Sequence, residues 1–236
     1  GFLQLGFIRH LFTRFELTAN KTLIVIVHFK KRHSKMKNKV LLIFSLLILV
    51  SCQPIMMKLY GIKDPDIEND KTITKKALKY DLDTSNIVTV NSKEFLNVLN
   101  GQSIPDGALY DRNGKYIEYR QTDTSCNAGL FQFIPTLNLS DKYNQPDSSD
   151  LKTELNKFRD LKGNILSQPE PADFYLLIYW TVWTGKLNKD HVKIWEDLAR
   201  DNKNCKIKVI KVNLDIQEYW DEQERDKIIK AMSKKK

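Results

Sequence analysis

From residue 87 onward the chain alternates short apolar stretches with polar punctuation, and the spacing predicts most of its elements. "NIVTV" reads as a strand. "SKEFLNVLNG" reads as a helix with Ser92 as N-cap, Phe95 and Leu99 on one face and Gly101 at the stop. "GALYDRNGKYIEYR" has aromatic and β-branched residues on either side of Asp111-Arg112-Asn113-Gly114, which predicts a hairpin. "CNAGLFQFIPTL" looks helical as far as Pro135, and "NLSDKYNQPDSSD" is loop by composition. Ser149 or Asp150 can then cap a helix in which Leu151, Leu155 and Phe158 recur at helical spacing.

The last third carries the strongest pattern. "DFYLLIYW" is a continuous apolar run, as expected of a strand buried on both faces. "NKDHVKIWEDLARDN" places Val192, Trp195, Leu198 and Ala199 on one helical face. "KIKVIKVNLD" alternates basic and aliphatic residues as a second strand. "QEYWDEQERDKIIKAM" closes with a helix whose Trp220, Ile228 and Ile229 can pack inward. Strand, helix, strand, helix implies a parallel βαβ unit with a right-handed crossover, and hence an α/β fold.

The front of the chain follows a different logic. Met36-Lys37-Asn38-Lys39 followed by "VLLIFSLLILVSC" has the layout of a secretory signal, a short cationic start and then an apolar core from Val40 to Val50. That core of 11 residues is shorter than the roughly 20 needed to span a bilayer. Its end, Leu49-Val50-Ser51-Cys52, resembles the bacterial lipobox. That resemblance implies lipidation of Cys52, removal of 36–51 and a membrane anchor of several acyl chains, each buried methylene contributing about 0.8 kcal/mol. With Met36 as the start, residues 1–35 are an over-called upstream extension. The other reading is a cytoplasmic leader. No aspartate stands beside Cys52 and no acidic cluster follows it closely, so the expected location is the periplasmic face of the outer membrane of a bacterial cell envelope. Residues 52–86, mixed in charge with Pro54, Gly61 and Pro65, read as a tether with a short helix near 71–80, and 87–236 as the folded domain.

Charge narrows the partners. Nine of the 38 basic residues and one of the 29 acidic residues lie in 1–51, which leaves 29 and 28 in the rest. The net charge of +9 is thus a property of the front end. A body so nearly balanced offers no broad phosphate-attracting field, and no nucleic-acid partner is expected.

"LLIYWTVWTGKL" is similar to the apolar strand of thioredoxins that ends in Trp-Cys-Gly-x-Cys, with Trp183 and Gly185 in place. "KVNLD", Lys211 to Asp215, looks like that family's next strand and its terminal aspartate. The match covers about 170–232. It implies a three-layer α/β/α sandwich with a mixed sheet. It also implies a degenerate redox turn at Trp183, Thr184, Gly185, Lys186 and Leu187. Thr184 stands where the attacking cysteine is expected, Leu187 where the resolving one is, and Ile178 where the family keeps a buried acid. Disulfide exchange needs an attacking thiolate and a resolving thiol, so the turn reads as a fold marker first and a binding edge second. The family places a proline-led hairpin after the second βα unit, whereas here a similar piece, Ile104-Pro105 and the Asn113-Gly114 hairpin, lies upstream. It either completes the sheet in permuted order or forms a separate extension.

The remaining candidates for chemistry are few. Cys126 and Cys205 could pair, stay as buried thiols, or replace the lost redox pair. His191 is the one histidine after residue 52, so no histidine metal cluster can assemble, and its place near a helix start reads as solvent-exposed. Glu196/Asp197 and Asp221/Glu222 read as solvated helix faces. No cofactor or metal is expected. Two functions stay open: a lipid-anchored, non-catalytic thioredoxin-like protein that binds an envelope protein or peptide or serves structure, and a thiol-disulfide redox protein using Cys126 or Cys205.

Overall fold

The computed structural model describes residues 57–120, 127–147 and 150–233. Residues 57–60 form a helical turn in a first unit that ends at Tyr60, and the second compact unit begins at Gly61. The lipidation motif at Cys52, the signal segment and Cys126 lie outside the described residues.

The second unit is a mixed α/β structure. Its elements are β1 (Ile67–Glu68), α1 (Asp70–Lys79), β2 (Ile87–Val90), α2 (Ser92–Gly101), β3 (Asp106–Asp111), β4 (Tyr116–Ile117), α3 (Leu130–Thr136) and α4 (Leu151–Asn156). There follow β5 (Phe158–Arg159), β6 (Phe174–Trp180), α5 (Ile194–Asp201), β7 (Ile207–Asn213), β8 (Ile216–Gln217) and α6 (Glu222–Ser233). Six strands make one sheet in the order β4-β3-β6-β7-β2-β5. β6, β7 and β2 are mutually parallel; β3 runs antiparallel to β6 and to β4, and β5 antiparallel to β2. The expected βαβ crossover is therefore β6–α5–β7, in register from Phe174↔Ile207 to Trp180↔Asn213. The upstream hairpin is not a separate extension: β3 pairs along β6 from Asp106↔Tyr179 to Asp111↔Phe174 and completes the sheet on that side.

All seven residues of β6 are buried, as a central strand covered on both faces requires. Phe174, Leu176, Ile178 and Trp180 join a core cluster with Ile73 and Ala77 of α1, Leu130 and Ile134 of α3, and Trp195 and Ala199 of α5. The alternate residues Tyr175, Leu177 and Tyr179 are buried outside that cluster, because successive side chains leave a strand on opposite sides. Phe95, Val98 and Leu99 of α2 are also buried outside it, and α2 meets α6, with Phe95 edge-on to Trp220 at 4.9 Å.

Several boundaries differ from expectation for identifiable reasons. The cap of α2 is Asn91, whose side chain accepts from Glu94 N–H, so Ser92 is already helical. Asp150 caps α4 by accepting from Thr153 N–H, but that helix ends at Asn156, and Phe158 is buried as part of an edge strand. α6 starts at Glu222, so Trp220 packs from the loop before it, and Ile229 is 38% exposed. Residues 61–86 are not a tether. β1 pairs in parallel with β8, and α1 buries Ile73 and Ala77 completely behind an Asn69/Thr72 capping box. Lys71, Lys75 and Lys79 are the solvent side of an amphipathic helix, and most of the acids lie in the segments that flank it.

Candidate functional site

β6 ends at Trp180, and the chain turns through the 3-10 segment Val182–Thr184 into a π-helical stretch, Asn188–Lys193, that leads into α5. Gly185 sits at φ +63 and ψ −131, a combination that a β-carbon disfavours. The glycine is needed at this bend on conformational grounds alone, with or without redox chemistry beside it.

The turn is mostly inside the protein. Thr184 is 2% exposed and Leu187 is 2% exposed, while Trp183 is half-buried and Lys186 exposed. The Thr184 hydroxyl has Thr181 O at 2.8 Å and Asn188 Oδ1 at 3.1 Å as acceptors, and the Thr181 hydroxyl donates to it at 3.3 Å. Asn188 Nδ2 donates back to Thr181 O at 2.8 Å. Among the described residues no carboxylate or imidazole bonds to this hydroxyl, so none of them withdraws its proton as an activated nucleophile requires. Leu187 fills core. Ile178 is fully buried beside Lys211 in register. Thus the expected binding edge is narrower than the five-residue turn: Trp183 and Lys186 are the side chains solvent can reach.

The ionisable group at this end of the sheet is Asp215, read from the sequence only as a strand marker. It follows β7 and is 1% exposed. Its Oδ2 accepts from Val182 N–H at 2.7 Å and from Asn213 Nδ2 at 2.7 Å, whereas Oδ1 has no donor. Burial is the main influence on it; the two hydrogen bonds oppose and the Glu68 charge reinforces, and the carboxyl is pushed up to about 7. Gln217 continues the row, donating to Asn213 Oδ1 at 3.1 Å and Asp215 O at 2.8 Å. Two buried polar sets, Thr181/Thr184/Asn188 and Asn213/Asp215/Gln217, thus stand at the carboxyl ends of β6 and β7, and the Val182 N–H between Thr181 and Thr184 in the chain ties the second to the turn. In open α/β sheets that end is where ligands bind. A row of polar residues at every second position, Asn213-Asp215-Gln217, was the available sequence signal.

A second buried polar feature lies on α5. Lys211 Nζ meets Glu196 Oε1 at 2.6 Å with side-chain exposures of 1% and 8%, and Glu196 Oε2 accepts from Asp83 N–H at 3.0 Å. Glu196 is thus not on a solvated face. Asp197, which pairs with Lys193 and Arg200, is nearer to that expectation. His191 is not solvent-exposed either: its ring lies 5.6 Å from both Phe131 and Trp195, and burial pushes its pKa down.

Cys205 is a half-buried free thiol whose Sγ donates to Leu137 O at 3.3 Å. Burial, reinforced by Asp173, pushes this thiol up, the opposite of what a reactive cysteine requires. It also precedes β7, whereas the turn follows β6 at the other end of these parallel strands, a separation of roughly 20 Å at 3.3 Å per residue. Among the described residues no group of three or more His, Cys, Asp or Glu could hold a metal ion, and no helix is long and apolar enough to cross a membrane.

These features place the chain in the class of α/β proteins with a mixed sheet and a polar, thiol-free cluster at the strand ends. Comparison with known proteins takes it no further: no protein-family model, no curated protein and no solved structure matches the chain.

Proposed function

We propose that the mature protein is a lipid-anchored envelope protein whose domain follows the thioredoxin-like plan in permuted order and binds a protein or peptide without exchanging disulfides. The observation that carries this reading is the state of the turn. The threonine at the attacking position spends its hydroxyl on Thr181 and Asn188, and the leucine at the resolving position is core. Two features support the fold part. The strands β2-β7-β6-β3-β4 stand side by side in that order, and the hairpin β3–β4 lies antiparallel on the flank of β6 although it precedes β6 in the chain. The three layers would then be the α1/α3/α5 side, the sheet, and the α2/α6 side. Trp183 and Lys186 are the accessible side chains of the turn, one aromatic and one cationic, which suits an extended peptide segment.

The anchor rests on the lipobox resemblance at Cys52. With Cys52→Ala, fractionation is expected to move the protein from the membrane pellet to the soluble fraction; a protein that stays detergent-extractable in the pellet contradicts lipid anchoring. The non-catalytic reading has a separate test. Wild-type protein is expected to reduce insulin no faster than dithiothreitol alone, with thiol titration finding no cysteine that cycles between reduced and oxidised forms. A Cys126 or Cys205 that does cycle, with insulin turnover abolished by its replacement with serine, makes the protein a redox enzyme.

A further inference from the structure

The buried cluster has a cover, and the way the cover is fastened suggests how it comes off. Segment 61–68 crosses the turn and runs beside β8. Lys63 N–H donates to Trp183 O at 3.0 Å, Ile67 and Glu68 pair with Ile216 and Gln217, and Glu218 N–H donates to Glu68 O at 2.8 Å. None of residues 61–68 is buried. Main-chain bonds at Lys63, Ile67 and Glu68 fasten the segment, and the first fully buried side chain among the described residues is Ile73 in α1.

On the stretch that this segment pairs with lie two buried acceptors without a donor, Asp215 Oδ1 and Gln217 Oε1, two residues apart. A neutral carboxyl resolves this arrangement, because it brings a hydrogen to donate where a carboxylate brings only further demand for donors. The titratable groups that act on Asp215 from the neighbouring elements are Glu68 on β1 and the Tyr80 phenol after α1, and both ionise to anions. From the turn and from β7 it receives only the neutral donors Val182 N–H and Asn213 Nδ2. Among the described residues no lysine, arginine or histidine bonds to it. A proton lost from Asp215 to solvent therefore leaves an unpaired charge in a sealed place, next to a like charge. Such a charge is relieved by admitting water, and the neighbouring strand without a buried residue is segment 61–68, which pairs with β8 and carries the like charge of Glu68.

We propose that Asp215 is a proton-controlled latch: with its carboxyl neutral, segment 61–68 stays fastened over the turn, and with it ionised that segment lifts and bares Trp183 and the edge of β8. This holds whether or not a peptide binds there. On the full-length protein, amide hydrogen exchange of Lys63 and Glu218 is followed from pH 5.5 to 8.5, corrected for the intrinsic rate. Both are expected to lose at least tenfold in protection across that range while the amides of β6 and β7 hold theirs. Asp215→Asn, which replaces the neutral acid by a neutral amide, is expected to keep both protected throughout. Protection that does not change with pH in the wild type, or falls equally in Asp215→Asn, overturns the latch. Should that variant fail to fold by circular dichroism, Glu68→Gln decides instead. Removing the like charge shifts the midpoint of the loss to lower pH if Asp215 is the group, and leaves it in place if it is not.

Discussion

Glu196→Ala is expected to lower the unfolding free energy by about 3–5 kcal/mol in urea titration, because it leaves the Lys211 ammonium in the core without its bonded partner. The side chain of Lys211 is 1% exposed and its Nζ has Glu196 Oε1 at 2.6 Å. Lys211 stands on the central strand β7 between Ile178 and Ile87, and the other carboxylate that acts with it, Asp83 in the loop before β2, makes its hydrogen bonds to Ser85. The substitution also leaves Asp83 N–H without its acceptor. The attraction between the two charges is not itself the source of so large a loss, since their desolvation opposes it. The double variant Glu196→Leu/Lys211→Met should therefore recover most of the stability, since exchange of a buried pair for apolar side chains of similar volume is often neutral or better. A loss below about 1 kcal/mol in the single variant is what an exposed pair gives, and would mean that water reaches Lys211.

The same pair shows where reading the sequence stops. The core of β6, the apolar face of α5 and the Asp111–Gly114 hairpin were legible because one periodicity governed each and no distant partner was needed. Lys211 was not: in "KIKVIKVNLD" it falls out of phase with Lys206 and Lys208, which meet Pro171 O and Glu170 near the surface, and shares the face of Ile207 and Val209 instead. That phase puts it on the other face of the strand, but only the folded sheet, which carries Lys211 under α5, supplies Glu196 as its partner. Short elements failed for a related reason. β1, β5 and β8 have two residues each, too few for any period, and exist because a neighbouring strand supplies their hydrogen bonds. At the turn, the absence of two thiols and an acid was plain in Thr184, Leu187 and Ile178. That Thr184 is sealed and hydrogen-bonded, and that the ionisable group is Asp215, depends on how the ends of β6 and β7 converge.

Asp215 sets the second large expectation, a fall in stability with rising pH. Its carboxyl is raised to about 7 in the folded protein against about 3.9 for an unfolded aspartate. Between those values the folded chain holds a proton that the unfolded chain has released, so unfolding free energy declines as pH rises through this window and levels off above it. A displacement of about three units corresponds to about 4 kcal/mol if the fold stays closed. His191 works the other way. Burial lowers its pKa, so its contribution grows as pH rises toward about 6.5 and then stays constant. The difference between wild type and Asp215→Asn, measured by urea unfolding at each pH from 4.5 to 8.5, removes the histidine and isolates the aspartate. That difference should narrow the advantage of the wild type, or widen that of the variant, steadily across the range. Its total is also informative about the cover. A chain that cannot open must bear the whole cost of the buried charge, whereas one that lifts residues 61–68 bears only the cost of lifting them. A decline that stops short of about 4 kcal/mol, at the pH where Lys63 and Glu218 lose protection, gives the opening free energy of that segment directly. No decline at all would mean that Asp215 is ionised and paired in the folded protein throughout the range.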